Sequence, residues 1–558
     1  MGSIRLIFLL LLTFPVGYGQ SDAALRPKLV VGVVVDQMRF DYLEKYRENF
    51  GDGGFLRLLR EGYSFENMQY DYIPTVTAAG HASIYTGTTP SGHGIIGNSW
   101  YDRDAGRIVD NVGDTTVQII GSLMPNGEGR SPARLMAPTL SDRLREWAGP
   151  ESRIISISLK DRGAILPGGH QADAAYWHDW ETSPGYFVSS TYYMDALPAW
   201  VEDFNAAGLS ENYMHQTWTP LLPLEAYKNS APDDNPYEVV LKGKDAPVFP
   251  YDLAAMRSEY GEGQPYHNIL WATPYGNELV REFALRALRS EELGKDSIPD
   301  FLGISFSTPD VAGHTFGPQS VEMADIYLRL DRDIAQLLQA LDKEVGQGRY
   351  VLFLTSDHGV HPVVSQAQEQ GLPAGLAVLP RYRQDLMFHL SLRYGAFNWI
   401  ESFGTEQIYL NRKLAEEKGI PLAEIQQVAA AFMAEQPGVR YALTASDLAE
   451  KAMEAPLPAM LQKGFYANRS GDVLLVYEPG YAPTMNYRIA VSEVRGATHG
   501  SGYAFDTHVP LLWFGAGIPQ GSTDRLVHPA NIVPTLTRVL NLTPLPGAAG
   551  QPLDELLD

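Results

Sequence analysis

The sequence predicts an α/β fold: a doubly wound, mostly parallel sheet flanked by helices, with two inserted cap or rim segments. Three observations predict it. Short apolar, β-branched runs recur along the chain, as in strands buried on both faces. Helical patterns lie between them. Asp, His, Lys and Arg residues stand just past the ends of several runs, where ligands bind in open α/β sheets.

The first 19 residues read as a secretory signal. Arg5 supplies the positive region, Leu6 to Phe14 is almost wholly apolar, and Gly17 and Gly19 occupy the small positions of a cleavage site. Cleavage near Gly19/Gln20 would deliver the protein to the periplasm or outside the cell. The apolar run is well short of the ~20 residues needed to span a bilayer. No other segment resembles a transmembrane helix, so the mature chain is expected to have no membrane span.

Leu29 to Val35 is the first expected strand. Gly54 to Glu61 forms a short helix that stops at Gly62, a favourable C-cap residue. Arg153 to Ser158, Phe301 to Phe306, Tyr350 to Thr355 and Pro510 to Phe514 follow as further parallel strands. Ser320 to Glu344 is a long amphipathic helix. Its Met323, Ile326, Leu330, Ile334, Leu337, Leu338 and Leu341 recur at helical spacing and read as core packing.

Two stretches break this rhythm within one catalytic domain spanning 20–558. Residues 170 to about 297 are rich in Pro, Tyr, Trp, Asn and Asp. Residues 380 to about 485 hold a helix near Pro421 to Met433 and a strand-like Val473 to Tyr477. Both read as insertions on the core. The aromatic residues of the first suit either stacking on an organic group or a small core of its own.

Composition excludes some functions. Acidic residues outnumber basic ones, 66 to 43, and no Lys/Arg-rich run occurs, so the footprint of a general nucleic-acid binder is missing. An acidic protein repels anionic substrates at long range, so local cations must invert the field at any phosphate site. The chain has no Cys, which excludes disulfides and a lipid-anchored lipoprotein. A secreted protein of this size needs no disulfide staples. The oligomeric state is left open, with a monomer favoured.

The chemistry lies at the strand ends. Asp36 follows Val33-Val34-Val35, and Lys160 and Arg162 follow Ile154 to Ile157. Asp310 and His314 follow Leu302 to Phe306, and Asp357 and His358 follow Val351 to Leu354. A lone Asp after a strand is ordinarily a cap or turn residue. Four strands all ending in such residue types argue for a site instead. Asp310 and His314, four apart, can face one ion from a helical turn or a tight loop. Carboxylate with imidazole suits zinc, and an open coordination position makes it catalytic. Spacing alone does not assign ligands to particular ions.

The segment Pro74 to Gly87 offers hydroxyls. One at a helix N-terminus beside a metal would be activated as a nucleophile. Thr75, Thr77 and Ser83 all remain open for that role. His81 and His93 read as structural histidines bonding local backbone.

Together these motifs resemble the alkaline phosphatase superfamily. They are Asp36, the Thr77 segment running to Gly94-Ile95-Ile96-Gly97-Asn98, Asp310-x-x-x-His314, Thr355-Ser356-Asp357-His358-Gly359 and Thr498-His499-Gly500, in the family's order. The resemblance is nearest to the phosphate-irrepressible bacterial alkaline phosphatases, which use a Thr nucleophile and two Zn2+ ions. It implies that Thr77 is the nucleophile. It implies one zinc on Asp310, His314 and His499, and another on Asp36, Asp357 and His358 alongside Thr77. Asn98 would hydrogen-bond a phosphoryl oxygen, and Lys160 and Arg162 match the branch's two cationic phosphate contacts.

The implied activity is hydrolysis of small-molecule phosphate monoesters to an alcohol and inorganic phosphate. Two zinc ions, three carboxylates, Lys160 and Arg162 leave the site net positive, which suits a dianionic monoester better than a monoanionic diester. That argues against a phosphodiesterase or nucleotide pyrophosphatase on the same scaffold. A sulfatase would need a C/S-x-P-x-R pattern, which the nucleophile segment lacks. A phosphoglycerate mutase would be cytosolic with a Ser nucleophile, against the leader. A non-catalytic, zinc-stabilised envelope binding protein would not need the complete ligand set.

Overall fold

The structure is a computed structural model describing residues 26–122, 128–179, 181, 185–261 and 264–557. The expected leader and its cleavage point lie outside the described residues. Among the described residues, no helix is long and apolar enough to cross a membrane.

Ten strands form the main sheet. They are β1 Leu29–Val35, β2 Tyr63–Gln69, β3 Ile119–Ile120, β4 Ile154–Ser158, β5 Ala174–Asp179, β6 Tyr186–Ser190, β7 Asp300–Phe306, β8 Tyr350–Thr355, β9 His508–Gly515 and β10 Gly521–Val527. Their order is β10-β2-β9-β8-β1-β7-β4-β5-β6-β3. The five strands from β8 to β5 are parallel. The sheet is mixed at its flanks, where β9 runs antiparallel to β8 and β2, and β6 runs antiparallel to β5.

Pro510 to Phe514, expected as a parallel strand, is therefore antiparallel. An apolar run reports burial on both faces and carries no information on direction.

Burial explains the central runs. In β1 all residues are buried. Leu29, Val31, Val33 and Val35 face one core, and Val30 and Val34 face the other. Side chains alternate across a strand, so a strand covered on both sides must be apolar throughout.

The helices that matter for the site are α1 Thr77–Thr86, α2 Asp161–Gly168, α3 Pro274–Ser290, α4 Thr308–Phe316 and α5 Val321–Leu341. In α5 the Ser320 hydroxyl caps the N-terminus, accepting from the Met323 amide at 3.0 Å. All seven apolar residues expected on its inner face are buried. The helix expected to reach Glu344 changes at Asp342 into a π-helical turn. The helix Phe55–Glu61 stops at Gly62 as expected, but Gly62 has φ −112°, outside the left-handed region. The glycine is needed there because a Cβ would lie 2.1 Å from the Trp513 carbonyl oxygen.

The segment expected as a first insertion supplies β5, β6 and α3 to the main body. Its Trp218 and Tyr251 belong to the principal core, with ring centroids 5.2 Å apart. Asp325 of α5 fastens this region, accepting from Trp218 Nε1 at 2.7 Å, the Leu221 amide at 2.6 Å and the Tyr227 hydroxyl at 2.6 Å.

Residues 380–485 carry a sheet of their own, ordered Ile400–Phe403, Gln407–Leu410, Val473–Tyr477, Val439–Thr444. Trp399, Ile400, Leu410 and Ile425 share its separate core. Leu474, Val476 and Leu461 pack on Ile73, in the loop that leads into α1. This second unit is thereby anchored beside the carboxyl ends of the parallel strands.

Candidate active site

In-register pairing brings the strand ends side by side. Val34 of β1 stands opposite Ser305 of β7 and Thr355 of β8, and Ser305 stands opposite Ser158 of β4. The residues just beyond, Asp36, Lys160, Asp310, Asp357 and His358, therefore converge at one edge. The Asp36 amide donates to the Phe306 carbonyl at 3.0 Å, which fixes the turn out of β1.

Helix α4 opens just past β7 and carries Asp310 and His314 one turn apart, with His314 Nε2 3.3 Å from Asp310 Oδ1. Helix α1 begins at Thr77, whose Oγ1 is 3.5 Å from His358 Nε2. A Cβ at Gly80 would lie 2.3 Å from the Asp357 carbonyl oxygen. Only a residue without a side chain lets α1 lie against the end of β8. The three candidate hydroxyls now separate. Thr75 Oγ1 donates to the Ser501 carbonyl at 2.7 Å, and Ser83 Oγ is 2.9 Å from His93 Nε2. Thr77 faces the ligand-type residues.

Those residues form two groups that could hold an ion: Asp36, Asp357 and His358, and Asp310, His358 and His499. The first coincides with the set the resemblance implies. In the second, His358 stands where the resemblance places His314, while His314 and His499 approach Asp310 Oδ1 at 3.3 and 3.4 Å. His499 and His358 stack with ring centroids 3.6 Å apart. Asp36 Oδ1 and Asp357 Oδ2 are buried without a hydrogen-bond partner. Buried carboxylate oxygens left without donors fit a cation there.

The three histidines share one device. Nδ1 of His314, His358 and His499 lies 2.7, 2.9 and 2.9 Å from the carbonyls of Ala497, Gly359 and Thr75. A carbonyl only accepts, so each Nδ1 carries a proton and each Nε2 is the nitrogen left for the site. Burial, with His358 alongside, also holds His499 well below the ordinary imidazole range. It stays neutral, as an imidazole that could ligate a metal would be.

Lys160 Nζ lies 2.5 Å from both Asp36 Oδ2 and Asp310 Oδ2. Burial opposes ionisation of Asp310, but the Lys160 ammonium together with His314 and His499 outweighs it and holds Asp310 well below the usual range. Burial raises Asp36, and the neighbouring charges of Asp310 and Asp357 raise it further. Asn98 Oδ1 accepts the Ala78 amide at 2.9 Å, leaving its side-chain NH2 to donate elsewhere. Arg162 opens α2 with Nη1 3.8 Å from Asp161, a long and weak pairing.

The sequence model of the type I phosphodiesterase / nucleotide pyrophosphatase family matches residues 30–502, which takes in every element of this site. The chain belongs to that family. It thereby falls in the alkaline phosphatase superfamily, as its motifs imply. It is 37% identical over 552 residues to the alkaline phosphatase PafA of Elizabethkingia meningoseptica, covering 99% of this chain and 98% of that protein. It is 39% identical over 534 residues to the alkaline phosphatase PhoV of Synechococcus elongatus, covering 95% and 93%. The crystal structure of PafA matches with a TM-score of 0.88 at 37% identity, covering 96% of this chain and 99% of that one.

This member of the type I phosphodiesterase family also has site residues that sequence reasoning missed. Gln37, with φ 66°, donates from its amide to Asp357 Oδ1 at 3.1 Å and from Nε2 to Asp310 Oδ1 at 2.7 Å. It ties the two groups together, and its sole sequence signal is adjacency to Asp36. His81 and His93 belong to neither group. His93 receives the Ile95 amide at Nδ1, at 3.1 Å. His81 Nδ1 bonds the Thr77 carbonyl at 2.9 Å, local backbone as expected, and stands 3.2 Å from Asp357 Oδ2.

Proposed function

We propose that this protein is a periplasmic or secreted alkaline phosphatase. It hydrolyses phosphate monoesters to an alcohol and inorganic phosphate through a phospho-threonine intermediate at a two-zinc site. The observation that carries the reading is Thr77 at the first turn of α1, 3.5 Å from His358, the residue shared by both ligand groups. The alkaline phosphatases PafA and PhoV support the activity by similarity along nearly the whole chain. A crystallised PafA variant replaces a Thr, an Asn, a Lys and an Arg, spaced along its chain as Thr77, Asn98, Lys160 and Arg162 are here.

Asp310, His314 and His499 would hold one zinc and Asp36, Asp357 and His358 the other, supplying Lewis-acid activation of the Thr77 hydroxyl and charge neutralisation at the leaving oxygen. Thr77 Oγ attacks phosphorus, the alcohol departs, and water then cleaves the phospho-threonine. The positive end of the α1 dipole, at which Thr77 sits, favours the negative charge that gathers there. The Asn98 amide donates to a phosphoryl oxygen. Lys160 and Arg162 balance the remaining charge, and their two positive charges match a dianionic monoester. Gln37 and the three Nδ1–carbonyl bonds hold the ligands in place.

Kinetics on p-nitrophenyl phosphate and bis(p-nitrophenyl) phosphate test this, with zinc measured on the same sample. The expected result is two zinc ions per chain and a kcat/KM for the monoester at least about a hundredfold that for the diester, which is about 2.7 kcal/mol in barrier. Faster diester hydrolysis would assign the protein to the phosphodiesterases of its family.

A further inference from the structure

Glu406 is an acidic side chain of the second unit that lies against Gly500, the neighbour of His499. It lies in the tight turn between the strands Ile400–Phe403 and Gln407–Leu410. The turn is held from both sides: the Leu475 amide donates to the Glu406 carbonyl at 2.8 Å, and the Tyr477 hydroxyl to the Thr405 carbonyl at 2.5 Å. A Cβ at Gly500 would meet Glu406 Oε1 at 3.6 Å and Val76 Cγ1 at 3.8 Å. The Thr75 amide donates to the Gly500 carbonyl at 3.4 Å. The carboxylate therefore sits where the chain just before Thr77 crosses the chain just after His499.

Among the described residues Glu406 makes no ion pair, and burial raises its carboxyl above the usual carboxylate range. A half-buried carboxylate costs free energy unless something compensates it. Lys160 is held between Asp36 and Asp310, so it does not serve Glu406. Nothing in the phosphoryl-transfer scheme uses this negative charge. Close to the phosphoryl group it would repel the dianion, so its place against Gly500, on the His499 side, matters.

We propose that Glu406 is a specificity-determining residue that selects the leaving group by charge, favouring phosphate monoesters whose alcohol carries an ammonium group and disfavouring those whose alcohol carries a carboxylate. This rests on the phosphatase reading above: with Thr77 beside the Asp36, Asp357 and His358 group, in-line displacement would send the alcohol out on the side of Asp310, His314 and His499. The phosphoryl group is held by cationic and amide groups deep in the site. An alcohol leaving on the His499 side would approach Gly500, against which Glu406 Oε1 lies. An opposite charge there is attracted and a like charge repelled.

The test compares kcat/KM for O-phosphoethanolamine and phosphoglycolate, at alkaline pH, in wild type and Glu406→Gln. The substitution is expected to lower the ratio of the first to the second by at least about tenfold, the scale of one half-exposed charge pair acting in opposite senses on two substrates. A purely structural role would move both substrates together and leave the ratio alone. A ratio within about twofold of wild type would overturn the proposal, a difference too small to assign to a lost charge. Should the variant not fold, the wild type decides: added salt lowers the same ratio if a charge sets it, and a ratio indifferent to salt overturns the proposal. A wild type that cleaves neither of these esters nor p-nitrophenyl phosphate would count against the phosphatase reading itself.

Discussion

Lys160 Nζ lies 2.5 Å from Asp36 Oδ2, and the ammonium side chain is only 5% exposed. The same ammonium reaches Asp310, so one cation spans the two groups of ligand-type residues. In a protein freed of metal, Lys160 is the main charge compensating these carboxylates.

Lys160→Met in the chelator-treated protein should therefore cost about 3 kcal/mol, the order expected when a buried ion pair loses one partner. Urea denaturation measures it. Adding zinc should shrink the difference, because the carboxylates then have another cation. An equal loss with and without zinc would show that the ammonium and the ion do not share these ligands.

Thr77→Ala should lower kcat on p-nitrophenyl phosphate by at least about a thousandfold, as expected when a nucleophile is removed. Zinc content by elemental analysis should stay unchanged, since six other residues supply ligands. Thr77→Ser should keep part of the activity. Wild-type turnover in the alanine variant would remove Thr77 from the mechanism.

Asp325 is fully buried and accepts hydrogen bonds from Trp218, Leu221, Tyr227 and Arg329. Asp325→Ala should destabilise the protein by about 3–5 kcal/mol, because it strands three donors and a guanidinium at once. Thermal melting and limited proteolysis around residues 217–230 report it. A melting temperature equal to wild type would show that the aromatic packing alone holds this segment.

Glu238 and Glu322 are buried together, and Oε2 of each lacks a hydrogen-bond partner. Burial raises both above the usual carboxylate range. Glu322 raises Glu238 further, and Asp233 adds to both. The folded state then keeps protons that the unfolded chain has lost, so this pair's stability is present below the ordinary Glu range. It is lost as pH rises toward the raised values. Glu322→Gln should raise the melting temperature by about 2 °C near pH 9 and leave it unchanged near pH 4, by calorimetry. Equal shifts at both pH values would separate the effect from titration.

Much of the site was legible in the sequence because strand burial and strand ends are local features. Val33 to Val35 must be apolar to fill two cores, and the first polar residue after them, Asp36, must then stand at the sheet edge. The same holds for Asp357 after β8 and for Asp310 one turn into α4. Gln37 was not legible, since a glutamine after an aspartate has no spacing signature. Trp218 and Tyr251 were ambiguous, because an aromatic residue looks the same in an insertion's own core and in the principal one.

By itself the sequence determined the α/β class, the identity of the strand-end residues and, through the family resemblance, an expected role for each. The tertiary structure decided the rest. It set β9 antiparallel, left Thr75 and Ser83 bonded elsewhere, and turned Thr77 toward His358. It stacked His499 on His358 across 140 residues of intervening chain and laid Glu406 against Gly500. The physical reason is range. Hydrophobic periodicity records which faces are buried within one element. Strand direction, hydroxyl orientation and the meeting of distant loops follow only when those elements pack.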